Sequence, residues 1–273
     1  MNITNSLHAA IRYSHIGVGM VGLLLFWIPV FAKKGSKLHI RCGRIFVWCG
    51  YYIAATAAIS CTWGLISPVS FAGVKRELTS EQLAALNGNI RFLFAILGTL
   101  MTWLLASLIM GMHAVKTRLK SNTGSWRVKL GFALSGTASG GLLLFGLTNA
   151  ISGGGNAYFI PIVLGILGVV DCKTGLAYLK LPSATKMTWW YVHMECMLGS
   201  GVAFHTAFFV FGFSRLFGIQ LNGPLALVPW LLPTAVGIPT IVIWTKYYRR
   251  KFGEEEGKVV EGVGVSGGAE VEG

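Results

Sequence analysis

The stretch FLFAILGTLMTWLLASLIMGMHAV, from Phe92 to Val115, runs through twenty-four positions without a charged residue. As a helix rising about 1.5 Å per residue it would extend about 36 Å, enough to cross a hydrocarbon core of about 30 Å. Inside a bilayer no water satisfies backbone amides, so a run of this length is read as a transmembrane helix. Six further stretches qualify on the same ground: about Tyr13 to Ala32, Ile45 to Ile66, Leu130 to Ile151, Tyr158 to Leu179, Tyr191 to Phe213 and Ala226 to Lys246. The first is too long for a signal peptide, and Lys33-Lys34 would directly follow a cut after Val30-Phe31-Ala32, so it too is read as a span.

The whole composition agrees. Of 273 residues, 53% are hydrophobic and 12% charged, where soluble chains carry about 25% charged. Mean hydropathy is +0.63. The soluble, disordered and disulfide-scaffold classes are set aside, and the expected fold is an all-α polytopic bundle of seven transmembrane helices over residues 1–251. Six of the ten acids lie from Glu254 onward in a Gly, Val and Glu-rich segment, so residues 252–273 are expected to be a disordered acidic tail.

Lys and Arg outnumber Asp and Glu by 23 to 10, a net charge of +13. These cations sit between the apolar runs, where they read as topology signals rather than as a nucleic-acid surface. Eighteen fall in one set of segments: Lys33 to Arg44, Lys116 to Lys129, Lys173 to Lys186 and Lys246 to Lys258. Five, Arg12, Lys75, Arg76, Arg91 and Arg215, fall in the opposite set. That bias predicts the N-terminus outside and the C-terminus in the cytoplasm. Five cysteines with no C-x-x-C pair read as small apolar fillers.

Local signals refine the picture. Thr79-Ser80-Glu81-Gln82 has the form of a capping box and opens either a short interfacial helix or a surface turn. Gly136-x-x-x-Gly140, flanked by Ser135, Ala138, Ser139 and Gly141, gives a face of little bulk, expected to pack inside the chain rather than form a dimer seam. Pro229, Pro233 and Pro239 crowd the seventh span, each removing a backbone hydrogen bond; the result is either a plain kink or a broken helix whose freed carbonyls line a transport path.

Polar residues inside spans each need a partner or a purpose. His113, Asp171, His193 and Glu195 are expected in one layer near the cytoplasmic face, with His39 close to it. Two imidazoles and two carboxylates there would suit a metal or, with histidines on different helices, a haem; otherwise they form a satisfied network or a proton path. On the outer side His8, His15 and His205 are candidates. His193 and His205 are twelve residues apart, about 18 Å, but about 120° apart around the helix, which argues against two stacked haems. Arg41 and Arg44 are candidates for capturing a lipid headgroup or other anion, or are topology anchors. No Walker loop, H-E-x-x-H or G-x-S-x-G motif is present, which lowers the expectation of an enzyme.

Three blocks together resemble a domain-of-unknown-function family of bacterial multi-pass membrane proteins: Lys34-Gly35 with His39-x-x-x-Gly43-Arg44-x-x-x-Trp48; Trp189-Trp190-x-x-His193-Met194-x-x-Met197-x-Gly199 with Thr206-Ala207-Phe208; and Pro229-Trp230-x-x-Pro233-Thr234. The likeness covers most of residues 8 to 250. It implies a bacterial inner-membrane location and carries over no activity, cofactor or site residue. The open functional classes are a metal- or haem-binding or proton- or electron-relaying membrane protein, a solute or ion transporter built on the seventh helix, and a non-catalytic scaffold. The expected partners are the lipid bilayer and a membrane-protein partner or second copy, with no nucleic acid.

Overall fold

A computed structural model describes residues 3–118, 125–153, 155, 158–180, 186–218 and 223–254. Among these the chain is all helical, and seven helices are long and apolar enough to cross a membrane. It is a multi-pass membrane protein. In order they are α1 (Ile3–Phe31), α2 (Lys37–Ile66), the short α3 (Pro68–Ala72), α4 (Ser80–Thr117), α5 (Trp126–Ile151), α6 (Phe159–Lys180), α7 (Thr188–Ala207), the short α8 (Ser214–Phe217) and α9 (Val228–Lys251).

The helices outrun the apolar stretches that announced them, because caps and not hydrophobicity fix their ends. Ser36 accepts the backbone N–H of His39 at 3.2 Å and starts α2 eight residues before the apolar run at Ile45. The capping box is present: Thr79 Oγ1 accepts from Gln82 N, and Thr79 N donates to Gln82 Oε1, both at 3.3 Å. It opens neither a separate interfacial helix nor a turn. It starts α4 itself, whose 38 residues come to about 57 Å. With a bilayer core of about 30 Å, its first turns stand outside the hydrocarbon.

α4 is the central element, packed against α2, α5, α6 and α7; α1 leans on α2, α6 on α5, and α9 on α7. Leu104 and Leu108 join Phe26, Phe46 and Phe204 in one buried cluster, and Ala106, Met110 and Ala114 join Val128, Phe132 and Val192 in a second. Outward, Leu24, Trp48, Leu144 and Ile243 are exposed. Such a surface suits acyl chains as solvent, not water.

The structure also bears on the seventh span and on the chain that follows it. α9 remains α-helical across Pro233 and Pro239, and Pro229 sits in its first turn, where no helical hydrogen bond is lost. The seventh span is therefore not an unwound one. The irregular helix lies instead at the end of α7, where Phe208–Phe213 form a π-helical turn. At the start of the expected acidic tail, Phe252 packs on Trp190 with ring centroids 5.4 Å apart, and Glu254 Oε1 accepts the backbone N–H of Met187 at 3.2 Å. Residues 255–273, the rest of the expected tail, lie outside the described residues.

Candidate functional site

The histidines expected to share a layer hold separate contacts. His193, on α7, places Nδ1 3.1 Å from the carbonyl of Gly111 on α4. His39, at the start of α2, places Nδ1 3.1 Å from the carbonyl of Pro29 on α1. A carbonyl only accepts, so both Nδ1 atoms carry a proton. The two rings are within electrostatic reach of one another. His113 is half-buried on α4, where its carbonyl accepts from Thr117 Oγ1 at 2.9 Å.

Lys34 lies at the α1–α2 corner. Its ammonium donates to the carbonyls of Pro29 (2.9 Å) and Val30 (2.6 Å), closing the C-terminal end of α1. It also lies over the Trp244 ring on α9, 5.8 Å from the centroid. Burial lowers the Lys34 pKa below its ordinary value. Arg41 and Arg44, the expected anion captors, are exposed along the start of α2.

On the opposite half, His15 Nδ1 is 2.7 Å from Thr56 Oγ1. That hydroxyl already spends its proton on the carbonyls of Tyr52 and Ile53, so His15 is the donor. His205 Nδ1 donates to the Gly201 carbonyl at 2.7 Å, and its ring packs edge-on between Phe26 and Trp27. His8 packs against Trp63 and Phe71. These three act as satisfied helix contacts.

The two intramembrane carboxyl groups are treated differently. Glu195, on α7, is held by neutral donors: Tyr178 OH on α6 reaches Oε2 at 2.9 Å, and Thr245 Oγ1 on α9 reaches Oε1 at 3.1 Å. One acid thus ties three helices together. Asp171, on α6, has no such clamp. Its Oδ2 is buried and has no hydrogen-bond partner among the described residues. The indole N–H of Trp103, on α4, is turned towards it within interaction range, yet Trp103 Nε1 is likewise buried without a hydrogen bond.

Two serines complete the pattern. Ser135 and Ser139, one turn apart on α5, are fully buried at 0% exposure, and neither hydroxyl finds a partner among the described residues. Elsewhere in the spans Thr99, Ser200 and Thr206 turn their hydroxyls back to the carbonyl four residues earlier, at 2.8 to 2.9 Å. Ser135 and Ser139 do not take that local option. A side chain at Gly168, one turn from Asp171, would run into Ser139 Oγ and the Trp103 ring, so the missing Cβ lets the three helices bring these groups together. Cys196, on α7, is within electrostatic reach of both Asp171 and Glu195.

Among the described residues no three His, Cys, Asp or Glu side chains group as a metal site. Asp171 and Glu195 are brought near a common neighbour; His39, His113 and His193 hold contacts apart from them. Tyr178, Thr245, Trp103, Ser135 and Ser139 are the partners that sequence reading did not assign. One signal was available for Trp103: a tryptophan at the middle of Phe92 to Val115, far from the interfaces where its N–H finds partners, needs a buried one. No family model, no curated protein and no solved structure matches the chain.

Proposed function

We propose that this chain relays protons across the membrane through a buried acid, with Asp171 as the exchanging group and the Glu195 clamp as a second, fixed acid. The supporting observation is that four buried polar atoms on α4, α5 and α6, Asp171 Oδ2, Trp103 Nε1, Ser135 Oγ and Ser139 Oγ, have no hydrogen-bond partners among the described residues. Leaving one such atom unsatisfied costs about 1–3 kcal/mol. The Trp103 N–H is within interaction range of Asp171, and the Ser139 hydroxyl lies against Gly168, one turn along α6; an acid with such neighbours can take and return a proton through bridging water. The positive-inside bias supports placing the ends with Arg44, Lys116 and Lys246 in the cytoplasm of a bacterial cell, with the chain in the inner membrane, as the family resemblance also implies.

The test is proton flux into liposomes carrying the purified protein, read by a trapped pH dye under an imposed potential. Flux above protein-free liposomes that falls to background in Asp171→Asn, and several-fold in Ser139→Ala, supports the relay. Equal flux in Asp171→Asn and wild type overturns it, as does wild-type flux no greater than that of empty liposomes.

A metal or haem held by His39 and His193 is a second reading. It is favoured by their shared tautomer, since ligating histidines donate the other ring nitrogen to a carbonyl or carboxylate. Absorption spectra and metal content of protein purified from cells, compared with His39→Ala and His193→Ala, decide it: a colourless, metal-free wild type removes this reading.

A further inference from the structure

We propose that the corner joining α2 to α4 binds one anionic phospholipid, its acyl chain in a groove on the membrane flank and its headgroup phosphate on Arg91 and Lys75. Two cavities lie near one another there, one lined by Leu65 and the other by its neighbour Ile66. One, of about 470 Å³, lies between α2, α4 and α5 and is almost wholly apolar. Its floor is made of small residues, Ala58, Ala95, Gly98, Ala138 and Gly141. The Thr99 and Thr102 hydroxyls at its edge are spent on their own helix, at 2.9 and 2.8 Å. The other, of about 670 Å³, lies at the end of α2 and is lined by Ser67, Ser70, Lys75, Asn87 and Arg91 with no acidic side chain.

The two follow a single face of α4. Asn87 and Arg91 line the basic cleft and Ala95, Gly98 and Thr102 line the groove, and steps of four, four, three and four residues keep all five on one side of a helix. On α2, Leu65 lines the groove and its neighbour Ile66 the cleft. Arg91 sits at the junction, where its Nε donates to the Leu65 carbonyl at 3.4 Å. That single bond leaves the terminal guanidinium nitrogens for a phosphate, whose paired oxygens match their geometry.

The dimensions select a lipid rather than a partner helix. From Phe94 to Thr102 the groove follows α4 for about 12 Å, close to the half-thickness of a bilayer core, about 15 Å. A helix from a second copy would need a small-residue stripe across both leaflets. The groove instead runs for about half that depth, with the two cations of the neighbouring cleft beyond its other end, an arrangement that matches the apolar and anionic parts of one phospholipid molecule.

The test uses the full chain in neutral detergent with phosphatidylglycerol, phosphatidylcholine or inorganic phosphate added, and native mass spectrometry to count bound lipid and protomers. A single phosphatidylglycerol should bind at least about tenfold more tightly than phosphatidylcholine, with that preference lost in Lys75→Gln/Arg91→Gln. Gly98→Leu should lose both lipids: a Cβ there meets nothing within 4 Å, so the new side chain fills the groove without disturbing the helices. An unchanged melting temperature confirms that variant is folded. Gly141→Leu, equally open, serves in its place if it is not. The proposal is overturned if the charge-neutral variant keeps the preference, if Gly98→Leu retains lipid, if inorganic phosphate displaces phosphatidylglycerol at equal concentration, or if Gly98→Leu instead abolishes a dimer seen in wild type.

Discussion

Tyr178 and Thr245 hold Glu195 from two different helices, and the energetic meaning of that clamp can be measured one hydroxyl at a time. Interhelical hydrogen bonds in membranes average about 0.6 kcal/mol and reach about 1.7. Tyr178→Phe should lie towards the upper end of that range, because it strips one oxygen of a buried acid while leaving the ring in place, and steric-trap unfolding in bicelles would read it. Glu195→Gln keeps both an acceptor and a donor for the two hydroxyls and should unfold within about 0.5 kcal/mol of wild type. A larger loss in Glu195→Gln than in Tyr178→Phe would show that the charge, not the hydrogen bonds, holds the three helices. At Lys34 the expectation concerns protons: burial disfavours its charged form, so its amine should become reactive to acetylation at a lower pH than an ordinary lysine, about 10.4. Mass-spectrometric titration checks this, and a labelling midpoint at or above the ordinary value contradicts it. Asp171 and Glu195 were legible in the sequence because ionisable groups in apolar runs are costly. Which groups meet them was not, because that depends on how each helix is rotated about its axis, and the apolar spans, lipid-facing and core-facing alike, carry only a weak record of that rotation.

Between helices the decisive contacts are small residues, and only half of that seam was visible beforehand. Gly136 does pack inside the chain, against Cys172 of α6, but Gly140, its expected companion, meets nothing. The close approach is made by α6: a Cβ at Gly165 would lie 2.7 Å from the backbone nitrogen and Cα of Leu143, and one at Gly175 would strike Phe132. Backbone cannot step aside as a side-chain tip can. Gly165→Ala should therefore cost about 1–3 kcal/mol, whereas Gly140→Ala should fall within about 0.5 kcal/mol of wild type. Equal stability of the two variants would mean that α5 and α6 do not approach as closely as the structure has them. A spacing of four residues marks one helix face but says nothing about its neighbour, and so Gly136-x-x-x-Gly140 was found while the glycines of α6 were not. Capping was easier to read, since Thr79 and Gln82 name each other within one turn; what the turn could not reveal is that α4 continues unbroken from that cap to Thr117.

Across the whole molecule, the number of spans was legible because the bilayer imposes a length on every apolar run, and the alternation of helices then assigns each loop to one of two faces. Charge extends this to an orientation that can be tested. The segments Lys33 to Arg44, Lys116 to Lys129, Lys173 to Lys186 and Lys246 to Lys258 share one face if the seven helices cross in turn, and they hold eighteen of the 23 cations, which predicts that this face is cytoplasmic. The native cysteines make the experiment clean. Cys42, Cys49 and Cys61 are buried, Cys172 and Cys196 are partly so, and none is paired. Lys37→Cys and Glu77→Cys, both at exposed positions on opposite faces, would each present a new exposed thiol to a membrane-impermeant maleimide. In intact cells Glu77→Cys should label and Lys37→Cys should react only after the membrane is opened. The reverse pattern would invert the orientation and with it the direction of any proton path through Asp171. Labelling of both from one side would contradict the seven crossings themselves.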